Sequence, residues 1–273
     1  MKRKLFATRL ALAVGLLLIF ALFTFLLVSR SNQIAAAKRA QEMQIAREQQ
    51  TAVVDDFHHR LLESAFALQA RRNLIDNPVS PGVVVNKLRP VNPIDYVPAK
   101  LAKPEGVPHS GEQMLVPVAA SAASQMYQDV RKATGAGFTI CSGYRSYSLQ
   151  KRLYDREVAE FGLAQGEAYV ARPGHSEHQL GYAMDIMGDQ PENNCALGSA
   201  YAATPAGKWV RENAYKYGFI LRYQENLQHI VGFAAEEWHW RYVGVDRAKW
   251  MHDKGIKTLE ELFELPYAPD YAD

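Results

Sequence analysis

The chain has 273 residues, room for one good-sized domain with extensions or for two small ones, and 48% of them are apolar, so a real core can form. Its 31 basic and 29 acidic residues leave a net charge of +2, which gives no electrostatic footing for binding nucleic acid.

Lys2, Arg3, Lys4 and Arg9 precede nineteen residues, Leu10 to Val28, without a charge. A helix needs about 20 residues to cross hydrocarbon, whereas the apolar part of a cleaved signal peptide runs to about 7–15. Residues 1–30 are therefore expected to be an uncleaved signal anchor. A removed signal peptide is the alternative, since the "AAA" at 35–37 would permit cleavage. Basic residues ahead of the span favour a cytoplasmic N-terminus, although Arg30, Lys38 and Arg39 oppose it. That orientation makes a single-pass protein of the cell membrane whose remaining chain is extracytoplasmic.

Residues 31–75 lack Gly and Pro and are rich in helix formers. Val54, Phe57, Leu61, Ala65 and Leu68 recur at three- and four-residue steps, as one helix face does, and predict a stalk that spaces the domain or pairs with itself. Residues 76–110 follow, with seven prolines between Asp76 and Pro108 that exclude long regular elements. Within them "VVVNKLRPV" and "IDYVP" are apolar enough to lie on a domain surface, so the globular part is expected to start near Gly82.

From Gly111 to the end, residues 111–273, the pattern mixes helix and strand. A helix is expected over 111–135, ending at Gly135, and a strand and turn over "FTICSGYRS". A second helix over "SLQKRLYDREVAEFG" and a strand at "YAMDIMG" come next. Thr204 as N-cap with Pro205 in the first turn starts a third helix. "FILRY", "HIVGF" and "WHWRYVG" read as short strands. The expected fold class is α+β, a small antiparallel sheet flanked by helices, preceded by a transmembrane helix and a helical stalk. Cys141 and Cys195 could close one disulfide in an oxidising compartment, contributing roughly 4 kcal/mol, or could remain buried thiols.

Three clusters carry chemistry. His178 and Asp185 lie in an otherwise apolar stretch, with Gly181 between them to bend the backbone so that both side chains converge. "EEWHWRYVG" adds His239 with Glu236 and Glu237 beside it. Two His and one Asp with a fourth position open is the ligand count of a catalytic zinc site, and a neighbouring glutamate can act as general base. "CSGYRSYSLQ" supplies Arg145 after a glycine turn, a planar fork suited to a carboxylate.

Together these clusters resemble the VanY-like zinc D-alanyl-D-alanine carboxypeptidases, with the related D-Ala-D-Ala dipeptidases and peptidoglycan endopeptidases. The pattern S-x-H-x-x-G-x-A-x-D is matched by Ser176, His178, Gly181, Ala183 and Asp185. E-x-W-H is matched by Glu236, Trp238 and His239, and S-x-Y-R-S…Q by Ser142, Tyr144, Arg145, Ser146 and Gln150. The resemblance runs from about residue 83 to 265 and leaves the stalk aside.

It implies Zn2+ held by His178, Asp185 and His239, with Glu236 as the base. It implies too that Arg145, with Gln150, Ser176 and Tyr144 near it, binds the substrate's terminal carboxylate or polarises the scissile carbonyl. The implied partners are bacterial peptidoglycan stem peptides ending in D-Ala and the membrane that holds the anchor. The implied reaction is removal of the terminal D-Ala. Cleavage of an L,D bond or of an internal bond is the near alternative, and a non-catalytic wall-binding module the alternative of another class. Two departures stand out. The family often has proline where this chain has Glu237, and on an ideal strand Glu237, not Glu236, shares a face with His239. Choosing Glu236 therefore requires a bend before Trp238. His175 falls outside the ligand pattern and is expected at the pocket margin at most.

Overall fold

The computed structural model describes residues 2–189 and 195–272, with the side chains of residues 2–14, 19, 52 and 55–70 outside that description. One helix, α1 (Lys2–Ile75), covers the expected anchor and stalk. A stretch within Gly15–Thr51 is long and apolar enough to cross a membrane, and Leu16, Phe20 and Phe25 on it are exposed. Of the expected stalk face, the side chains of Phe57, Leu61, Ala65 and Leu68 lie outside the described residues. The chain divides into two units, Met1–Leu68 and Gln69–Asp273, and the second holds the sheet.

The proline-rich segment takes no long element, and its Val83, Val85, Val91 and Val107 are buried in the main core. Helix α2 (Pro117–Thr134) starts six residues later than the sequence suggests. Pro117 is at its N-terminus because a proline lacks the N–H that a helix interior needs and disfavours helical backbone in the residue before it, so Val116 is extended. The helix ends as expected at Gly135, in the left-handed conformation.

β1 (Phe138–Ser142), β2 (Ala183–Gly188), β3 (Phe219–Tyr223) and β4 (Glu236–Tyr242) form an antiparallel sheet in the order β1-β2-β4-β3. Between β1 and β2 lie α3 (Tyr147–Phe161), α4 (Leu163–Tyr169) and a 3₁₀ turn, Glu177–Leu180. Between β2 and β3 comes α5 (Pro205–Asn213), capped by the Thr204 hydroxyl and followed by a 3₁₀ turn, Ala214–Tyr217. The expected strand "HIVGF" is instead a helical turn, α6 (Gln228–Val231), ended by Gly232 at positive φ. Its Ile230 and Val231 bury against Tyr223 and Phe233, so the apolar run is satisfied by a small separate cluster rather than by the sheet. α7 (Val245–Lys254) and α8 (Leu259–Leu262) complete the chain.

The main core packs Met126 and Val130 of α2 with Phe138, Ile140, Met184, Ile186 and Trp240 of the strands. At roughly 1.5–3 kcal/mol for each large apolar side chain fully buried, it is the main force holding the sheet in place. Cys141 and Cys195 are joined by a disulfide with Cα atoms 5.5 Å apart, tying β1 to the segment after β2.

Candidate metal and catalytic site

The strand register assembles most of the site. Asp185 of β2 is paired directly with His239 of β4, so their side chains share a face as cross-strand neighbours. On the other side Ser142 of β1 is paired with Asp185, and its Oγ accepts from Arg145 Nε at 2.7 Å. His178 arrives from the 3₁₀ turn, which closes at Gly181 with φ 72°, the left-handed conformation that glycine adopts without strain. Ligand atoms of His178, Asp185 and His239 all lie within 4.8 Å of one another, and all three side chains are buried.

Glu236 joins them through an irregularity. Leu221 pairs with Trp240, but Tyr223 pairs with Glu236, so two steps along β3 span four along β4. This bulge is the bend before Trp238 that simple alternation lacks. It leaves Glu236 buried with Oε2 3.8 Å from His239 Nδ1. Glu237 instead turns outward and pairs with Arg211 at 2.6 Å.

Each imidazole is fixed at its far nitrogen. His178 Nδ1 donates to the Gly143 carbonyl at 2.7 Å, leaving the Nε2 lone pair aimed at Asp185 Oδ2, 3.3 Å away. Gly143 is required there because a Cβ would lie 2.6 Å from the Met114 carbonyl. His239 Nε2 donates to Glu177 Oε2 at 3.2 Å, which turns Nδ1 toward Asp185 Oδ1, also 3.2 Å away. Asp185 Oδ1 is buried without a hydrogen-bond partner among the described residues. Lone pairs from two imidazoles and a carboxylate thus converge, and one of the acceptors is orphaned. The donor set of two nitrogens and an oxygen, with an unprotected fourth side, fits a tetrahedral Zn2+ with an open position.

The electrostatics agree. Burial, then the Arg145 guanidinium, lowers the His178 imidazole to about 4, so it is neutral at physiological pH. Burial also disfavours charge on His239, but the Asp185 and Glu177 carboxylates outweigh it and raise this imidazole to about 9. The gap between His239 Nδ1 and Asp185 Oδ1 therefore favours a positive charge, whether a proton or a divalent cation. Asp185 is held below the usual carboxylate range, with His178 and Arg145 overcoming its burial. Burial pushes Glu236 up to about 8: His239 and Arg145 oppose the rise, but Asp185 and Glu177 add to it.

A cavity of about 180 Å3 opens beside these groups. His178, Asp185, His239, Glu236, Arg145, Ser176 and Gln150 all line it. Arg145 reaches Asp185 Oδ2 with Nη2 at 2.5 Å. Gln150 is buried, donates to the Ala171 carbonyl at 2.8 Å, and keeps Oε1 without a partner among the described residues. Tyr144 is not among the lining residues; its backbone N–H bonds Met114. His175 is not either, and its Nδ1 donates to the Asn86 carbonyl at 2.9 Å. Sequence reasoning missed Glu177, which holds His239, and the cavity walls Tyr223 and Phe233. The available signal was charge inside apolar strands: Arg222 in "FILRY" and Arg241 beside His239 both converge on Glu177.

The profile of the VanY family, D-alanyl-D-alanine carboxypeptidase, matches residues 112–245. YodJ of Bacillus subtilis (strain 168), itself only provisionally named a carboxypeptidase, is 42% identical over 195 residues, 70% of this chain and 69% of that protein. The D-alanyl-D-alanine carboxypeptidase of Enterococcus faecalis is 37% identical over 142 residues, and the match spans 49% of this chain and 50% of that enzyme. Among solved structures, the LD-carboxypeptidase LdcB superposes with TM-score 0.62 at 41% identity, covering 69% of this chain and 87% of LdcB. A mutant of the vancomycin-resistance D,D-pentapeptidase VanY, solved with Zn(II), gives TM-score 0.54 at 30% identity over 66% of this chain and 97% of its own. The chain belongs to the VanY family of carboxypeptidases.

Proposed function

We propose that this chain is a zinc-dependent D,D-carboxypeptidase that removes the terminal D-alanine from peptidoglycan stem peptides, held at the membrane by its N-terminal helix. The observation that carries it is the convergence of His178, Asp185 and His239 within 4.8 Å, with the buried Glu236 against them. The kinship with a Zn(II)-bound VanY supports the choice of metal.

A zinc ion held by those three residues would polarise the scissile carbonyl and make water acidic enough to attack near neutral pH. Glu236 takes the proton from the attacking water and passes it to the nitrogen of the departing D-alanine. Its buried, electron-rich surroundings raise its basicity, which suits a group that must accept and then release a proton. Arg145, at the cavity wall, places a positive fork where the peptide's carboxylate or the developing oxyanion lies; such donors contribute about 3–4 kcal/mol. The free Gln150 Oε1 offers an acceptor for a peptide N–H.

The test is to incubate the zinc-loaded protein with penta- and tetrapeptide stems and weigh the products. A D,D-carboxypeptidase releases one alanine from the pentapeptide and leaves the tetrapeptide whole. The second reading, L,D cleavage of the tetrapeptide, is favoured by the 41% identity to LdcB and gives the reverse pattern. Release of neither would contradict both.

A further inference from the structure

His239 has a support that extends well beyond the cavity. Glu177 receives three donors: His239 Nε2 at 3.2 Å on one carboxylate oxygen, and Arg222 Nε and Arg241 Nη1, each at 2.9 Å, on the other. Glu177, Arg222 and Arg241 are all buried. Arg222 turns its remaining nitrogens to Glu260, at 2.7 and 3.0 Å, in a two-pronged bond. Arg241 spends its own on the carbonyls of Val83 and Tyr242, at 2.8 and 3.0 Å. Asn86 Nδ2 donates at 2.8 Å to the same Glu260 oxygen that accepts from Arg222 Nη2. Two carboxylates thus face two guanidinium groups, a neutral cluster with its hydrogen bonds directed.

We propose that Glu177 is a positioning residue that fixes which nitrogen of His239 faces the metal, and that Arg222, Arg241 and Glu260 hold it for that purpose. The inference rests on the metal-site reading above. A carboxylate can only accept, so with Glu177 in place Nε2 of His239 must carry the hydrogen and Nδ1 must point to Asp185. An amide in its place could donate or accept and would leave both orientations open. Asn86 and Glu260 lie outside residues 112–245, the stretch matched by the family profile. The site is therefore finished by segments on either side of the family's matched region. Residue 260, on α8, acts on the metal only through Arg222 and Glu177.

The experiment uses the full chain in detergent. Zinc affinity is measured by competition with a chromophoric chelator for wild type, Glu177→Gln, Glu177→Asp and Glu260→Gln, and the ring N–H of His239 is followed by nitrogen-15 NMR in the zinc-loaded state. Both Glu177 variants should bind zinc about 10–100-fold more weakly and lose the single protected His239 resonance, and Glu260→Gln should show a smaller loss in the same direction. If Glu177→Gln does not fold, Glu177→Asp, which keeps the charge but withdraws it by a methylene, decides the matter. Folded Glu177 variants with wild-type zinc affinity and an unchanged His239 resonance would overturn the proposal, and an unaffected Glu260→Gln would remove Glu260 from it. A wild-type protein that binds no zinc would instead defeat the metal-site reading, a distinct result.

Discussion

Replacing Glu236 by Gln tests the electrostatic core of the site without enzymatic turnover. In the metal-free protein the Glu236 carboxyl rises from its ordinary 4.5 to about 8, chiefly through burial. A carboxyl raised on folding contributes stability that is fully present below pH 4.5 and is lost as pH climbs through 8, because the unfolded chain ionises first. At about 1.4 kcal/mol per tenfold, the gap corresponds to at most about 5 kcal/mol across that window. The Gln variant has no such loss. Its stability relative to wild type should therefore grow by about 2–5 kcal/mol between pH 4.5 and 8, since local relaxation absorbs part of the full value. His239, raised to about 9 in part by Glu236 itself, also loses stability with rising pH, so the measured difference belongs to the coupled pair rather than to Glu236 alone. Urea unfolding in excess chelator at several pH values measures the difference directly. A stability difference that does not change with pH would refute the assignment of Glu236 as a carboxyl whose burial outweighs its cationic neighbours.

Other consequences follow from the same geometry. Zinc must displace the proton that His239 carries below about 9 and favours ionisation of the neighbouring Glu236, so zinc affinity should rise with pH up to about 9, and calorimetry at pH 7 in buffers of different ionisation enthalpy should detect at least one proton released. Glu236→Ala should keep its zinc while kcat falls by about 10²–10⁴-fold, and full activity in that variant would remove Glu236 as the base. Glu237→Ala breaks only the outward pair with Arg211, so kcat/KM should be unchanged and stability should fall by no more than about 1 kcal/mol in a denaturant titration. Arg145→Ala should lower kcat/KM by about 10²–10³-fold with zinc content retained, as steady-state kinetics and metal analysis would show.

The residues that converge on the candidate site were largely legible in the sequence because their chemistry is costly without a purpose. Asp185 and His239 stand in apolar strands and His178 in the turn before one of them, and a buried histidine or aspartate calls for a partner. The antiparallel sheet followed from aromatic and β-branched runs, and α5 from Thr204 and Pro205. Less local features were hidden. The bulge that selects Glu236 over Glu237 depends on how β4 registers against β3, which no single strand reveals. "HIVGF" has strand composition but folds as a turn because Gly232 ends it at positive φ and Tyr223 and Phe233 offer it a separate core. Glu177 passed unnoticed between Ser176 and His178 because its partners, Arg222 and Arg241, come from 45 and 64 residues away.

The most direct test is a crystal of the zinc-loaded protein measured on either side of the zinc absorption edge. One anomalous peak should appear, about 2.0–2.2 Å from His178 Nε2, His239 Nδ1 and an oxygen of Asp185, with its open side toward Glu236. A peak elsewhere, or none at full zinc loading, would contradict the account.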